Sequence, residues 1–148
     1  MTARVHVYEG TDVTVTFDRA RCIHHAHCVR HLPAVFDTSK RPWVQPDNAD
    51  SAAVLAIVAA CPTGALHATH RDGHTADAAH SPAVVHVQVT AHGPLFVRGD
   101  AVVLNADDTL LATDARIALC RCGLSERKPF CDNTHRRAGW TADRAAEG

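Results

Sequence analysis

The chain has 148 residues, of which 46% are hydrophobic and 21% are charged, and its formal net charge is −1 at pH 7. This length fits one ordinary domain or two small ones, and the balance of apolar and charged residues is that of a folded, soluble protein. The near-zero net charge argues against binding to nucleic acid or to a membrane surface.

The N-terminal stretch MTARVHVYEG lacks the long apolar run of a signal peptide, and no segment approaches the length of a membrane span. We therefore expect a cytoplasmic protein. Thirteen arginines against two lysines, with many alanines and histidines, indicate a GC-rich bacterial genome. In a reducing cytoplasm, six cysteines favour metal binding or redox chemistry over structural disulfides.

The first half of the chain predicts three strands and a short helix. Residues 4–8 and 13–17 alternate apolar with polar side chains on either side of a Gly-Thr-Asp turn, which predicts a β-hairpin. A loop rich in cysteine and histidine then leads into a short helix at about 28–32. Residues 65–69 predict a third strand that pairs with the hairpin and closes a small αβ unit.

A longer helix is predicted between these elements, over the stretch DNADSAAVLAIVAAC. Asp47 or Asn48 is the expected N-cap, and Pro62 is expected to end the helix. Cys61 falls on the same helical stripe as the apolar residues, so we expect its side chain to point toward the core.

The second half of the chain predicts mostly β-structure. Residues 71–83 lack apolar periodicity and are rich in Gly, Pro, Asp, Ser and His, which is typical of a linker. Short alternating segments follow at turn-separated intervals and continue up to Cys120. The predicted strands lie at 85–89, 95–97, 102–104, 110–113 and 116–119.

The cysteines fall into two groups of three, which indicates two separate sites. The groups are Cys22, Cys28 and Cys61 in the first half, and Cys120, Cys122 and Cys131 in the second. In the second group the stretch CRCGLSERKPFCDNTH ends in a histidine, and thiolates with imidazole suit iron–sulfur clusters, zinc or copper(I). Structural zinc usually takes its ligands from two well-separated knuckles, so the short spacing here does not favour zinc.

The stretch CRCGLSERKPFCDNTH, with the upstream GPLFVRGD, resembles the CDGSH iron–sulfur domain family over roughly residues 84–140. The resemblance implies a 2Fe-2S cluster, with Cys120 and Cys122 on one iron and Cys131 and His135 on the other. Imidazole is neutral where thiolate is anionic, so we expect a potential above that of an all-cysteine cluster.

The resemblance also raises expectations for the residues around the cluster. Asn133 stands where the family has glycine, and asparagine is the residue after glycine that most readily takes a positive φ. Asp132 is expected to cap a short helix that runs into His135. Ser125 and backbone amides near Gly123 are expected to donate hydrogen bonds to the cluster sulfur atoms.

The first site, RCIHHAHC followed by a remote CPTGAL, resembles a divergent single-cluster bacterial ferredoxin over about residues 5–70. The usual run is C-x2-C-x2-C with a remote Cys-Pro, and His25 stands here in place of the middle cysteine. The resemblance implies an iron–sulfur cluster on Cys22, Cys28 and Cys61. Three cysteines favour 3Fe-4S, and 4Fe-4S with His25 or solvent on the fourth iron is the alternative.

Together these features predict an α+β protein in two parts. We expect a small ferredoxin-like αβ module at residues 1–70, a linker at 71–83 and a mainly β CDGSH module at 84–148. Whether the chain is a monomer or a homodimer is left open by the sequence.

The expected function is one-electron transfer with a redox partner such as a reductase or another oxidoreductase. The sequence has no Ser-His-Asp arrangement, phosphate-binding loop or convergent carboxylate pair, so we do not expect an enzyme that acts on its own substrate. The alternative is a cluster carrier, or a redox or pH sensor, with an acid-labile 2Fe-2S cluster. A third interpretation is a zinc-stabilised interaction module.

Overall fold

The computed structural model describes residues 4–76 and 84–142. The chain divides into two units, Met1–His80 and Ser81–Gly148, each described by itself below. Each unit contains one three-stranded antiparallel sheet with few helical residues. The predicted α+β class is therefore confirmed.

In the first unit the sheet has the order β1-β2-β3 and is antiparallel throughout. The predicted hairpin and its pairing with a third strand are thus confirmed. Its strands are β1 (Val5–Glu9), β2 (Val13–Asp18) and β3 (Leu66–His70). Its helices are α1 (His27–His31) and α2 (Ser51–Ala59), with a 3-10 turn at Pro46–Asn48.

Helix α2 begins later and ends earlier than the sequence predicts. Asp50, and neither Asp47 nor Asn48, is the N-cap, and its carboxylate accepts a 3.0 Å hydrogen bond from the N–H of the third helical residue. The Asp47 carboxylate instead accepts the N–H of Thr11 at 2.7 Å. The helix ends at Ala59, so Cys61 lies on the segment between α2 and β3 while still packing against the core.

The core of the first unit lies between the sheet and α2, with Trp43 at its edge. The Trp43 ring contacts the rings of Tyr8, Phe17 and Phe36 at centroid distances of 6.3, 4.9 and 6.0 Å. The largest fully buried side chains here are Val15, Val35, Phe36, Val44, Val54 and Val58.

The predicted linker begins with residues that pack on the first unit. Thr75 forms an isolated antiparallel bridge with Thr69 of β3, and Ala76 is only 4% exposed within the core. Residues 71–76 therefore turn back against β3 and belong to the first unit. The rest of the predicted linker, 77–83, lies outside the described residues.

In the second unit the strands of the sheet also lie in sequence order and are antiparallel. The prediction of two short strands in place of each long one is wrong. The first long strand, residues 95–104, continues across a Gly-Asp pair that looks like a break in the sequence, because its register shifts between Arg98 and Ala101 and Gly99 takes a φ of 110°. The elements are β4 (His86–Val89), β5 (Leu95–Leu104), β6 (Leu110–Leu119) and α3 (Thr134–Arg137).

None of the helices within residues 4–76 and 84–142 combines the length and the apolar character that crossing a bilayer requires.

Candidate metal centres

The cysteine-bearing loop of the second unit is closed by the end of β6. The N–H of Cys120 donates to the carbonyl of Pro129 at 2.7 Å, and the N–H of Cys131 donates to the carbonyl of Ala118 at 2.9 Å. Residues Leu119 and Phe130 pair between them as an isolated antiparallel bridge. Cysteines eleven positions apart in the sequence are therefore held side by side by backbone hydrogen bonds.

The four predicted ligands of this loop form two close pairs. The Sγ atoms of Cys120 and Cys122 are 3.8 Å apart, and Cys131 Sγ is 3.7 Å from His135 Nδ1. Two ligands on one tetrahedral metal ion, bound at about 2.3 Å through sulfur and 2.0–2.1 Å through nitrogen, lie about 3.6–3.8 Å apart. Each pair thus has the spacing of two ligands on one metal ion, and the pairing is the one that the CDGSH resemblance implies.

The two pairs are close enough to interact electrostatically. Burial raises the pKa of the Cys131 thiol, and the charges of Cys120 and Cys122 raise it further against an opposing N–H from Asn133. Among the described residues, no three His, Cys, Asp or Glu side chains gather as ligands of one metal ion. Three thiolates and one imidazole in two neighbouring pairs have the donor chemistry of a 2Fe-2S cluster, so the residues fit that group.

Backbone N–H groups point at the sulfur atoms, as predicted for the amides near Gly123. Leu124 donates to Cys122 Sγ and Asn133 donates to Cys131 Sγ, both at 3.4 Å. Burial would raise the pKa of Cys120, but N–H groups of Ser125, Gly123 and Leu124 outweigh it and leave that pKa below its ordinary value. The loop therefore stabilises negative charge on sulfur before any metal contributes.

Ser125 and Asp132 stabilise the loop rather than contact sulfur with their side chains. The Ser125 hydroxyl donates to the carbonyl of Phe130 at 2.7 Å, while the backbone N–H of Ser125 is among the groups that lower the pKa of Cys120. The Asp132 carboxylate accepts the N–H groups of Glu126 and Thr134, both at 3.0 Å. Although burial opposes it, these bonds lower the pKa of Asp132 to about 2.

Asn133, and not the predicted Asp132, occupies the N-cap position of α3. Its φ of 71° confirms the predicted left-handed conformation, and no side-chain hydrogen bond caps α3 at this residue. Asp132 still satisfies the N–H of the first residue of α3, from one position farther upstream.

Asn133→Gly is expected to stabilise the protein by about 0.5–1 kcal/mol, because glycine adopts a positive φ without steric cost. It also removes the Asn133 Oδ1, a buried atom that lacks a hydrogen-bond partner within the described part of the chain. Thermal unfolding followed by circular dichroism measures the gain. Asp108→Gly, at a φ of 65° in the β5–β6 turn, is the matched control for backbone strain alone, and a loss of stability in Asn133→Gly would contradict the argument.

In the first unit the structure brings the three cysteines and His25 to one pocket. Cys22, Cys28, Cys61 and His25 all line it, among apolar neighbours such as Trp43. Burial raises the pKa of Cys28 to about 11, with the nearby thiols of Cys61 and Cys22 adding to the increase. The three thiols therefore interact within one apolar pocket, and binding to a metal cluster would relieve the cost of their ionisation.

The backbone around His25 is strained. His24 and Ala26 have φ values of 56° and 64°, a conformation that residues other than glycine rarely adopt. The N–H of His24 donates to Cys22 Sγ at 3.4 Å, the same contact that follows Cys131 in the second unit. Such strain is typical of functional loops, and here it accompanies the placement of His25 at the pocket. His27 also lines the pocket, but its ring stacks on that of His31 at 4.1 Å.

Arg121, which lies between two of the predicted ligands, is a further residue of the site that the sequence does not predict. Its guanidinium donates to the carbonyls of Gly93 and Thr90 at 2.9 and 2.6 Å and lies over the Trp140 ring at 5.2 Å. These partners are distant in sequence, and the only local signal is that the arginine stands between two cysteines that are predicted ligands.

Comparison with known proteins agrees with this division into two sites. Residues 8–71 match the family model described as a divergent 4Fe-4S mono-cluster, and residues 92–136 match the model described as an iron-binding zinc finger of the CDGSH type. Uncharacterized protein YjdI of Escherichia coli K12 is 38% identical over 64 residues, which cover 43% of this chain and 84% of YjdI. The YjdI protein of Escherichia coli O157:H7 matches equally. No solved structure matches the chain.

The fold and the two donor sets define an iron–sulfur protein. The chain belongs to the divergent 4Fe-4S mono-cluster family through its first unit and carries a CDGSH-type module in its second. Both predicted resemblances are confirmed. The description of the first family gives no support to the predicted 3Fe-4S cluster.

Proposed function

We propose that the chain holds a 2Fe-2S cluster in the second unit and a 4Fe-4S cluster in the first, and that it transfers single electrons to a redox partner protein in a bacterial cytoplasm. The observation that supports this best is the gathering of thiol and imidazole donors into two separate sets, one in each unit. Iron–sulfur clusters supply one-electron chemistry without a bound substrate, so this function requires no catalytic residues.

For the first site we propose His25 as the fourth ligand. It lines the pocket together with the three cysteines, and the strained residues His24 and Ala26 flank it. A neutral imidazole in place of the usual middle cysteine completes four ligands for four iron atoms. We therefore propose a 4Fe-4S cluster in place of the 3Fe-4S cluster that the three cysteines alone suggest.

The protein's own residues supply the environment that tunes each site. In the second unit, His135 is only 5% exposed, and backbone N–H groups donate to the sulfur atoms of two cysteines. Burial, hydrogen bonds to sulfur and ligand charge are the main factors that set a cluster's reduction potential. All three are present at this site.

Iron and acid-labile sulfide analysis of anaerobically purified protein tests the proposal. We expect two of each per chain from the second site and four of each from the first. Reductive titration should then show two one-electron steps, and a partner reductase should reduce the protein without cluster loss. A colourless protein that contains zinc and no iron would refute the proposal and favour the zinc-stabilised module.

A second candidate function is cluster delivery or sensing, which is favoured by the protonatable ligand His135 in the buried pair with Cys131. Mixing the loaded protein with an apo ferredoxin separates the two functions. Stoichiometric movement of the 2Fe-2S cluster to the acceptor supports the carrier, whereas rapid reduction with the cluster retained supports electron transfer.

A further inference from the structure

The turn at residues 90–93, which precedes β5, lies directly against the outer side of the His135 ring. A Cβ atom added at Gly93 would be 3.2 Å from His135 Nε2 and 2.9 Å from Thr90 Oγ1. Both distances are shorter than ordinary van der Waals contacts, so glycine suits this close approach of the backbone to the ring. The turn therefore covers the nitrogen of His135 that faces away from Cys131.

Arg121 holds this turn in place. Its Nε donates to the Gly93 carbonyl at 2.9 Å, and its Nη2 donates to the carbonyls of Thr90 and Ala91 at 2.6 and 3.3 Å. Hydrogen bonds from a charged guanidinium are stronger than those between neutral groups, and three of them converge on one turn.

The other side of the Arg121 guanidinium connects to the helix that carries His135. It lies over the Trp140 ring at 5.2 Å, and the N–H of Trp140 donates to the His135 carbonyl at 2.9 Å. Within the turn, Thr90 Oγ1 donates to the Pro94 carbonyl at 2.8 Å. Arg121 thus joins the turn, the ligand loop and the end of α3 into one connected structure.

We infer that Arg121 is a positioning residue that keeps the 90–93 turn over His135 and thereby limits how fast the second cluster is lost. For His135 to leave its metal-binding position, the ring must rotate or water must reach it, and the seated turn obstructs both. The inference rests on the proposed ligand role of His135. Because Arg121 lies between Cys120 and Cys122, ligation of those cysteines also fixes the residue that holds the turn.

Coupling between two sites is reciprocal at equilibrium. If the seated turn strengthens equilibrium binding of the cluster as well as slowing its loss, then the bound cluster must stabilise the seated turn by the same free energy. We therefore expect the amides of Ala91, His92 and Gly93 to exchange with deuterium faster in the cluster-free protein than in the loaded protein.

The test compares Arg121→Ala with Arg127→Ala, an exposed arginine of the same loop, in the loaded full-length chain. Excess EDTA is added at a fixed pH above 7.5, and samples are quenched and reduced at intervals. Their 2Fe-2S signal is recorded by electron paramagnetic resonance at a temperature where a reduced 4Fe-4S cluster relaxes too fast to be seen.

We expect Arg121→Ala to lose the second cluster at least about 10-fold faster than wild type, because losing one hydrogen bond to a charged group suffices for that factor. Arg127→Ala is expected to stay within about twofold of wild type.

Deuterium exchange on the same samples separates a positioning role from general destabilisation. Arg121→Ala should raise exchange of the 90–93 amides in the loaded protein while leaving β1 to β3 unchanged. Unchanged exchange at the turn would overturn the inference, and so would an opened turn with a wild-type rate of cluster loss. If wild type holds no 2Fe-2S cluster, the proposed function itself has failed.

Gly93→Ala decides the matter if Arg121→Ala does not fold. It keeps Arg121, but its new Cβ crowds Thr90 Oγ1 and the His135 ring, so the turn, the Thr90 side chain or the ring must shift by a few tenths of an ångström. We expect the same acceleration of cluster loss, and a wild-type rate in this variant would overturn the inference.

Discussion

His135→Cys is expected to lower the reduction potential of the second cluster by roughly 100 mV or more, because histidine ligands raise iron–sulfur potentials by several hundred millivolts in clusters that carry two of them. The substitution replaces a neutral donor with an anionic one at a site where Cys131 Sγ and His135 Nδ1 are 3.7 Å apart. Added negative charge favours the oxidised cluster. Potentiometric titration of the loaded protein measures the shift.

The same variant is expected to resist acid better than wild type. Burial, and then the charge of Arg136, lower the pKa of His135 below its ordinary value of 6.5, against the opposing charge of Asp132. The folded site therefore favours the neutral ring, which is the form that binds metal. The neutral His135 ring makes its full contribution to the stability of the folded protein above pH 6.5. This contribution is lost as the pH falls through the lowered pKa of the ring.

Bleaching of the visible spectrum between pH 8 and pH 4 measures this acid lability. Wild type should lose the second cluster below about pH 6.5, and His135→Cys should lose it more slowly. His86→Cys, on the exposed edge strand β4, is the matched control and should behave as wild type. Equal acid lability of His135→Cys and wild type would show that the imidazole is not the acid-sensitive ligand.

His25→Ala is expected to convert the first cluster from 4Fe-4S to 3Fe-4S. An iron without a protein ligand is readily lost, and the three remaining cysteines fully ligate a three-iron cluster. The oxidised variant should therefore give an electron paramagnetic resonance signal approaching one spin per chain, whereas oxidised wild type should be silent. His25→Cys should remain silent, because it restores a fourth ligand.

His27→Ala is the matched control, since His27 lines the same pocket while its ring stacks on His31. It should be silent like wild type. A signal in His27→Ala and none in His25→Ala would assign the ligand to His27. A signal in oxidised wild type would restore the 3Fe-4S cluster in place of the proposed 4Fe-4S cluster.

The candidate ligands of the second site can be chosen from the sequence because their spacing is local. One residue separates Cys120 from Cys122, and His135 lies four positions after Cys131. The left-handed conformation of Asn133 could also be predicted, because asparagine adopts a positive φ more readily than most other residues.

Interactions between distant residues account for what the sequence did not predict. Asp47 is a good N-cap by type, but it bonds to Thr11, 36 positions away. Arg121 reaches carbonyls 28 to 31 positions upstream, so no local pattern reveals its role. The continuity of β5 depends on a register shift opposite β6, which is a property of the paired strands and not of one segment.

The N–H groups that donate to Cys22, Cys122 and Cys131 all belong to the backbone, each two residues beyond its cysteine. A side-chain donor can rotate when the charge of a nearby group changes, but these amides are fixed by the loops that contain them. For the proposed electron transfer, donors fixed in this way would have little need to move when the charge on the sulfur atoms changes. We therefore expect a small reorganisation energy at both proposed sites.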